Sequence, residues 1–478
     1  MADSLSRRQA IGIGAAVAGA AVAAPVIANA ALAGTNAPAL TPAAAGAGHN
    51  VSPGDLPWPE ARKIVADTKT TKFGTKTVDA AKDFGAKGDG KTDNTAAFAA
   101  AIKAVNAATG GGTVNVPAGT YVTGAIRLLS NVNFHLASGA TLKFSGDKSK
   151  FPVVLTRYEG IECLNYSPMV YANGATNIAL TGSGTLDAGG TSSWNKGNNR
   201  KFLESWISAG RTKPEQRKVP GSGNSLRVAF IEPYNCDTVL IEGVKLKNPM
   251  FWQLHPVLSK NVIIDGVTTD PSTAHSNTDG CDPESSDHVI IRNCTLGAHD
   301  DNIAIKSGRD ADGRRINVPT SNVVVYNCLM NGNWGAITCG SEQTGGIKNV
   351  FAYKCNIVGA TKFALYVKSN TLRGGYSENI NLDSFTGNPT RSYVFVLPTY
   401  NGQTGSHPFS FGPFSITNCT TTKVPKVFDV SGTSSSHVHG FAAKNCTFKG
   451  VSNTSNTFKN VDHLVLANVT INGKVVTR

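Results

Sequence analysis

Four aspartates, among them the trio Asp279, Asp300 and Asp301, are concentrated in two short phrases, Asn277-Thr278-Asp279-Gly280-Cys281-Asp282 and His299-Asp300-Asp301-Asn302-Ile303-Ala304-Ile305-Lys306. Asp279 and Asp300 are 21 residues apart. If the chain coils with that period, the phrases lie on adjacent rungs about 4.8 Å apart, and one substrate could touch all three acids. Crowded carboxylates repel one another, which raises at least one pKa and keeps one carboxyl protonated while another stays charged. Glycosidic hydrolysis needs that division. One acid protonates the leaving oxygen, and in the inverting version a carboxylate about 6.5 to 9.5 Å away activates a water. Calcium binding and the capping of turns by aspartate are the competing uses of the same residues.

The elements that must position these acids follow from the surrounding pattern. Ile303 and Ile305 must point inward, so Asp300 and Asp301 can act together only at a bend, at the start of that strand. From about residue 160 one phrase recurs, for example at 177–187, 238–248, 261–270, 288–297, 322–332, 349–359 and 463–473: a short apolar strand, a Gly or Asn turn, a second short strand. Helical periodicity is nearly absent there. Such units bury their apolar residues only by stacking, which predicts an all-β fold, a single-stranded right-handed parallel β-helix with Gly, Asn and Asp at its corners. Five of the nine cysteines follow an Asn, at 236, 294, 328, 419 and 446, and no Cys-x-x-Cys pair occurs. They read as buried thiols stacked in successive turns rather than as disulfides or metal ligands. Residues 96–108 form the clearest helix, opened by Asp93 or Asn94 and closed by Gly110, and placed to cap the end of the coil. A polar, basic insertion at 189–226 is expected to shape one binding face.

The composition bounds the partners. The chain has 478 residues with 50 Gly, is 16% charged and 40% hydrophobic, and carries a net charge of +13. That excludes a disordered chain and fits either nucleic acid or an acidic polysaccharide. Arg7-Arg8, an uncharged Ala/Gly/Val stretch and Ala28-Asn29-Ala30 read as a twin-arginine export signal over residues 1–30. Residues 31–75 are then a leader or linker, and 76–478 the β-helix. Export to the periplasm or beyond, and the lack of a basic stripe interleaved with aromatics, argue against nucleic acid. A monomer with no stable membrane association after signal removal is expected.

Residues 277–282, 299–308, 333–342 and 366–370, in that order and spacing, resemble the motif series of glycoside hydrolase family 28, the polygalacturonases. DFGAKGDGKTDNTAAF (83–98), VPAGTYVTGAI (116–126), TLDAGG (185–190) and FWQLHP (251–256) extend the resemblance over about residues 80–475. The resemblance implies that Asp300 is the general acid and that Asp279 and Asp301 hold and activate water in an inverting hydrolysis, with no metal or cofactor. Trp334 stands where the family has His, and Tyr366-Val367-Lys368 where it has Arg-Ile-Lys. Trp334 and Tyr366 either stack on a sugar ring or pack beside the cleft. The remaining candidates for binding an acidic polysaccharide or oligosaccharide are Lys368, Asn277, Lys306, Arg309, Arg373, His255 and His299. Each cation is also open to being an ordinary surface charge. Glu159 and Arg227 resemble the cleft rim of exo-acting relatives, which with the insertion predicts a cleft blocked at one end. A hydrolase of a different uronate- or rhamnose-containing glycan, a β-eliminating lyase and a non-catalytic glycan-binding protein on the same scaffold are the alternatives.

Overall fold

Asparagine corners wind this chain. The computed structural model describes residues 51–189, 200–271 and 275–478. Asn177, Asn261, Asn322, Asn349 and Asn379 each lie inside a strand of the largest sheet with φ between 54° and 57°, a left-handed conformation that Asn tolerates better than most residues. Their side chains also stack. The Asn379 amide donates to Asn349 at 3.0 Å, and Asn349 donates to Asn322 at 3.0 Å.

The result is a right-handed parallel β-helix. Among the described residues the largest sheet has sixteen strands, running from Lys76–Asp79 to Lys474–Val476. The second face is split between two shorter sheets, and the third continues from Ile303–Ile305 through Gly335–Gly340, Phe363–Lys368 and Ser392–Leu397. The register of the third face is set by inward apolar residues: Cys281 pairs with Ile303, Ile303 with Ile337, and Ile337 with Leu365. All nine cysteines are buried and unpaired.

Helix α2 (Thr95–Asn106; α1 is described below) covers the first coils with buried Phe98, Ala101, Ile102 and Val105. Asp93 accepts the Thr95 backbone N–H at 3.1 Å, while the Asn94 carboxamide accepts instead from Lys87. The expectation of a linker over 31–75 fails in its second half. Pro59–Asp67 is helix α1, and Leu56, Ala61 and Ile64 bury themselves against Ile263, Ile290, Val324 and Phe351 on the outer surface of the large sheet. Apolar side chains on both faces of that sheet demand such a cover. The export signal at 1–30 and the leader up to residue 50 lie outside the described residues.

An antiparallel hairpin, Val153–Tyr158 with Ile161–Tyr166, departs from the coil beside the third face. Its tip, Glu159-Gly160, has φ of 44° and 85°, as a two-residue hairpin turn with matching twist requires. A Cβ on Gly160 would lie 2.6 Å from the Cβ of Arg309, so only glycine permits this approach. The described part of the insertion, including helix α3 (Lys201–Ser208), packs Leu203, Val219 and Leu226 with the hairpin and with Phe251 and Trp252.

Candidate active site

A polar cleft lies on the third face, lined by Asp279, Asp300, Asp301, Lys306, Lys368 and Arg373, with Glu159, Arg200 and Glu342, and with Tyr400-Asn401 from a later loop. The register explains the meeting of the acids. Asp279 and Asp301 stand two residues ahead of the paired Cys281 and Ile303, and the Gly280 N–H donates to the Asp301 carbonyl at 3.0 Å. Asp300 and Asp301 occupy the bend before the strand Ile303–Ile305, whose two isoleucines are buried. One carboxylate oxygen from each of the three acids lies within 4.8 Å of the others. The expected gap of about 6.5 to 9.5 Å is therefore absent between the nearest oxygens, because one rung is the spacing that separates them.

Each acid has a different environment. Asp301 accepts from the Gly335 N–H at 2.7 Å and the Thr338 hydroxyl at 2.8 Å, and faces Lys368 Nζ at 2.9 Å. Gly335 is required here, since a Cβ would lie 2.0 Å from the Thr338 hydroxyl. Burial, and then the charge of Asp301, push Asp300 up to about 6 against the pull of Lys368 and Lys306. Burial, then Asp282 and Asp300, push Asp279 well above the usual carboxylate range. The arrangement thus holds at least one proton among its carboxyls near neutral pH, as acid catalysis needs. Burial works against a charge on Glu342, yet Lys306, Arg373, Arg309 and Arg200 hold its carboxyl well below the usual range. Trp252 supports this floor: Lys306 Nζ sits 4.5 Å from its ring centroid.

A coil of this kind with a buried acid trio can be compared with known proteins. A family model described as Glycosyl hydrolases family 28 matches residues 107–463. The chain belongs to that family. A probable polygalacturonase of Vitis vinifera is 29% identical over 334 residues, covering 68% of this chain and 64% of that protein. The exo-poly-alpha-D-galacturonosidase of Dickeya chrysanthemi is 26% identical over 454 residues, covering 82% and 74%. Among solved structures, the hyperthermoactive exopolygalacturonase of Thermotoga maritima is 33% identical with a TM-score of 0.81, covering 87% of this chain and 96% of that one. As a family 28 member this chain is a glycoside hydrolase.

Within this family 28 site, the structure brings together Asp279, Asp300, Asp301, Asn277, Lys306, Lys368 and Arg373. Asn277 donates its amide to Asp300 at 3.4 Å. Five candidates for contact with the substrate are placed outside the residues that line the cleft. His255 is fully buried between Glu232 at 3.0 Å and Glu284 at 2.9 Å; burial opposes its charge, but the two glutamates push its pKa up to about 9. It is a core imidazolium, between the bridge residues Leu254 and Val257. Arg309 lies behind the cleft, tied to Glu159, Glu204 and Glu342. His299 turns its Nδ1 to the His275 carbonyl at 3.0 Å. Tyr366 is 3% exposed and stacked on Phe395, so its ring packs beside the cleft. Trp334 is half-buried with Lys362 Nζ 3.3 Å from its centroid, outside the residues that line the acid pocket. Sequence reasoning gave no binding role to Glu342, Arg200, Trp252, Tyr400 or Asn401. The Gly340-Ser341-Glu342 motif, the FWQLHP segment and the 189–226 insertion were the signals for Glu342, Trp252 and Arg200.

Proposed function

We propose that this family 28 chain is an exo-acting, inverting hydrolase of α-glycosidic bonds in galacturonate-containing pectic chains. The observation that carries the reading is one cleft that holds three acids with unlike environments and is lined also by Glu159 and Arg200 from the hairpin and insertion. Asp300 donates its proton to the glycosidic oxygen as the bond to C1 breaks. Asp279 and Asp301 orient a water on the opposite face of the sugar, and one of them takes its proton as oxygen bonds to C1. Asp301 suits the orienting role because Gly335, Thr338 and Lys368 fix its carboxylate. The wall of hairpin and insertion favours a chain terminus over a chain interior, and the exo-acting relatives support that choice. Export through the twin-arginine signal would deliver the enzyme to such a polymer.

Digestion of homogalacturonan should release short uronates from the start with little early loss of viscosity, and proton NMR should detect the inverted anomer first. A rapid viscosity drop would replace exo with endo action, and retained configuration would reject inversion. Unsaturated products absorbing in the ultraviolet would transfer the chain to the lyases. EDTA is expected to leave the rate unchanged, because Lys368 already occupies the cation position beside Asp301. Activity lost to EDTA and restored by calcium would overturn that expectation.

A further inference from the structure

Most cations around the acid trio are already neutralised by carboxylates of the chain. Lys306 lies 3.3 Å from Glu342 and 3.6 Å from Asp282, Arg373 lies 3.5 Å from Glu342, Lys368 lies 2.9 Å from Asp301, and Arg200 lies 2.5 Å from Glu159. Lys362 and Arg391 differ. Among the described residues neither has a carboxylate oxygen within 4.0 Å. Each rests instead on aromatic surface: Lys362 Nζ is 3.3 Å from the Trp334 centroid, and the Arg391 guanidinium is 5.0 Å from that of Phe395 and 5.6 Å from that of Phe363. An aromatic face orients a cation without neutralising it, leaving its charge available to an anion.

The backbone locates this pair relative to the chemistry. The Trp334 N–H donates to the Asp300 carbonyl at 3.1 Å, the Lys362 N–H to the Trp334 carbonyl at 2.7 Å, and the Arg391 N–H to the Lys362 carbonyl at 3.2 Å. Asp300, Trp334, Lys362 and Arg391 therefore form a row on successive rungs, each step about 4.8 Å. The row starts at the proton donor. A general acid sits beside the leaving oxygen, so a row that begins at Asp300 borders the leaving group. Burial lowers the Lys362 pKa and the Arg391 charge lowers it further, while Asp300 and Asp301 raise it. Two cations that repel each other beside an open cleft gain from a bound anion.

We propose that Lys362 and Arg391, carried on Trp334 and on the Phe363–Phe395 pair, bind the carboxylate of the uronic acid on the leaving-group side of the scissile bond. The proposal rests on the hydrolysis reading above. It places acid recognition outside the motif series, with Lys362 on the rung where Tyr366 offers no guanidinium and Arg391 on the next.

The test compares two substrates of the full-length enzyme: digalacturonate, whose leaving sugar carries a carboxylate, and an aryl α-galacturonide, whose leaving group does not. Arg391→Gln and Lys362→Gln should each lower kcat/KM for digalacturonate by about tenfold or more relative to the aryl substrate, as loss of a charged hydrogen bond predicts. The preference of the parent for a free acid over a methyl ester on the leaving sugar should shrink in the same proportion. Arg391 is exposed and Lys362 half-exposed, so the melting temperatures of both variants should match the parent. An active parent whose variants lose equally on both substrates overturns this proposal alone. A parent inactive on both galacturonides overturns the hydrolysis reading and the proposal together.

Discussion

Asp300→Asn should lower kcat on polygalacturonate by on the order of 10³-fold, the usual share of a positioned general acid, while the chain folds and binds substrate. In the parent, kcat/KM should descend as pH rises past about 6, where burial and Asp301 place the Asp300 titration. The stability consequence has a definite sign. The pKa of Asp300 is raised from 3.8 to about 6 on folding, so between those values the folded chain keeps a proton that the unfolded chain releases. Stability contributed by this group falls as pH rises through that window. Asn carries no charge, so the variant should match the parent below pH 4 and equal or exceed it in melting temperature above pH 6. Full activity in Asp300→Asn would remove the aspartate from the mechanism. Lower stability above pH 6 would mean that its carboxylate is stabilised rather than strained.

Lys368→Met should destabilise the fold by about 3 to 5 kcal/mol, the range for stripping one partner from a buried ion pair. Its Nζ lies 2.9 Å from Asp301, and the two side chains are only 8% and 1% exposed. Burial opposes its charge, but Asp301 above all holds the Lys368 pKa well above the ordinary range. Met fills the stem's volume yet leaves the Asp301 carboxylate with two neutral donors and no cation. Combining Lys368→Met with Asp301→Asn removes the stranded charge and should recover a large part of the loss in urea denaturation. A single variant within about 1 kcal/mol of the parent, or a double variant no better than the single, would show that the pair does not carry this energy.

The fold was legible because its rules are local. Each coil repeats a strand, a corner residue able to take positive φ and a second strand, and Asn177 through Asn379 take the angles that the pattern implies. Helix α2 was legible for the same reason: its apolar spacing and its start signal are contiguous in the chain. Helix α1 was missed because its apolar residues meet Ile263, Val324 and Phe351, far away in sequence, and nothing local announces an outer sheet face that needs covering.

The site divides along the same line. The sequence by itself determined the three aspartates, the one-coil spacing that stacks Asp279 against the Asp300-Asp301 bend, and the basic residues in the same coils, since periodicity converts sequence distance into rung distance. Only the tertiary structure decided where each neighbouring charge points. His255, one coil before Asp279, and Arg309, in the segment that follows Asp301, both face buried glutamates, and Glu159 and Arg200 reach the cleft from a hairpin and an insertion outside the repeat. Lys362 and Arg391 gain their place from a backbone ladder linking four coils and from the rings beneath them. A repeat fixes which rung a residue occupies, whereas its side-chain direction and partners depend on packing between coils and on the loops that leave them.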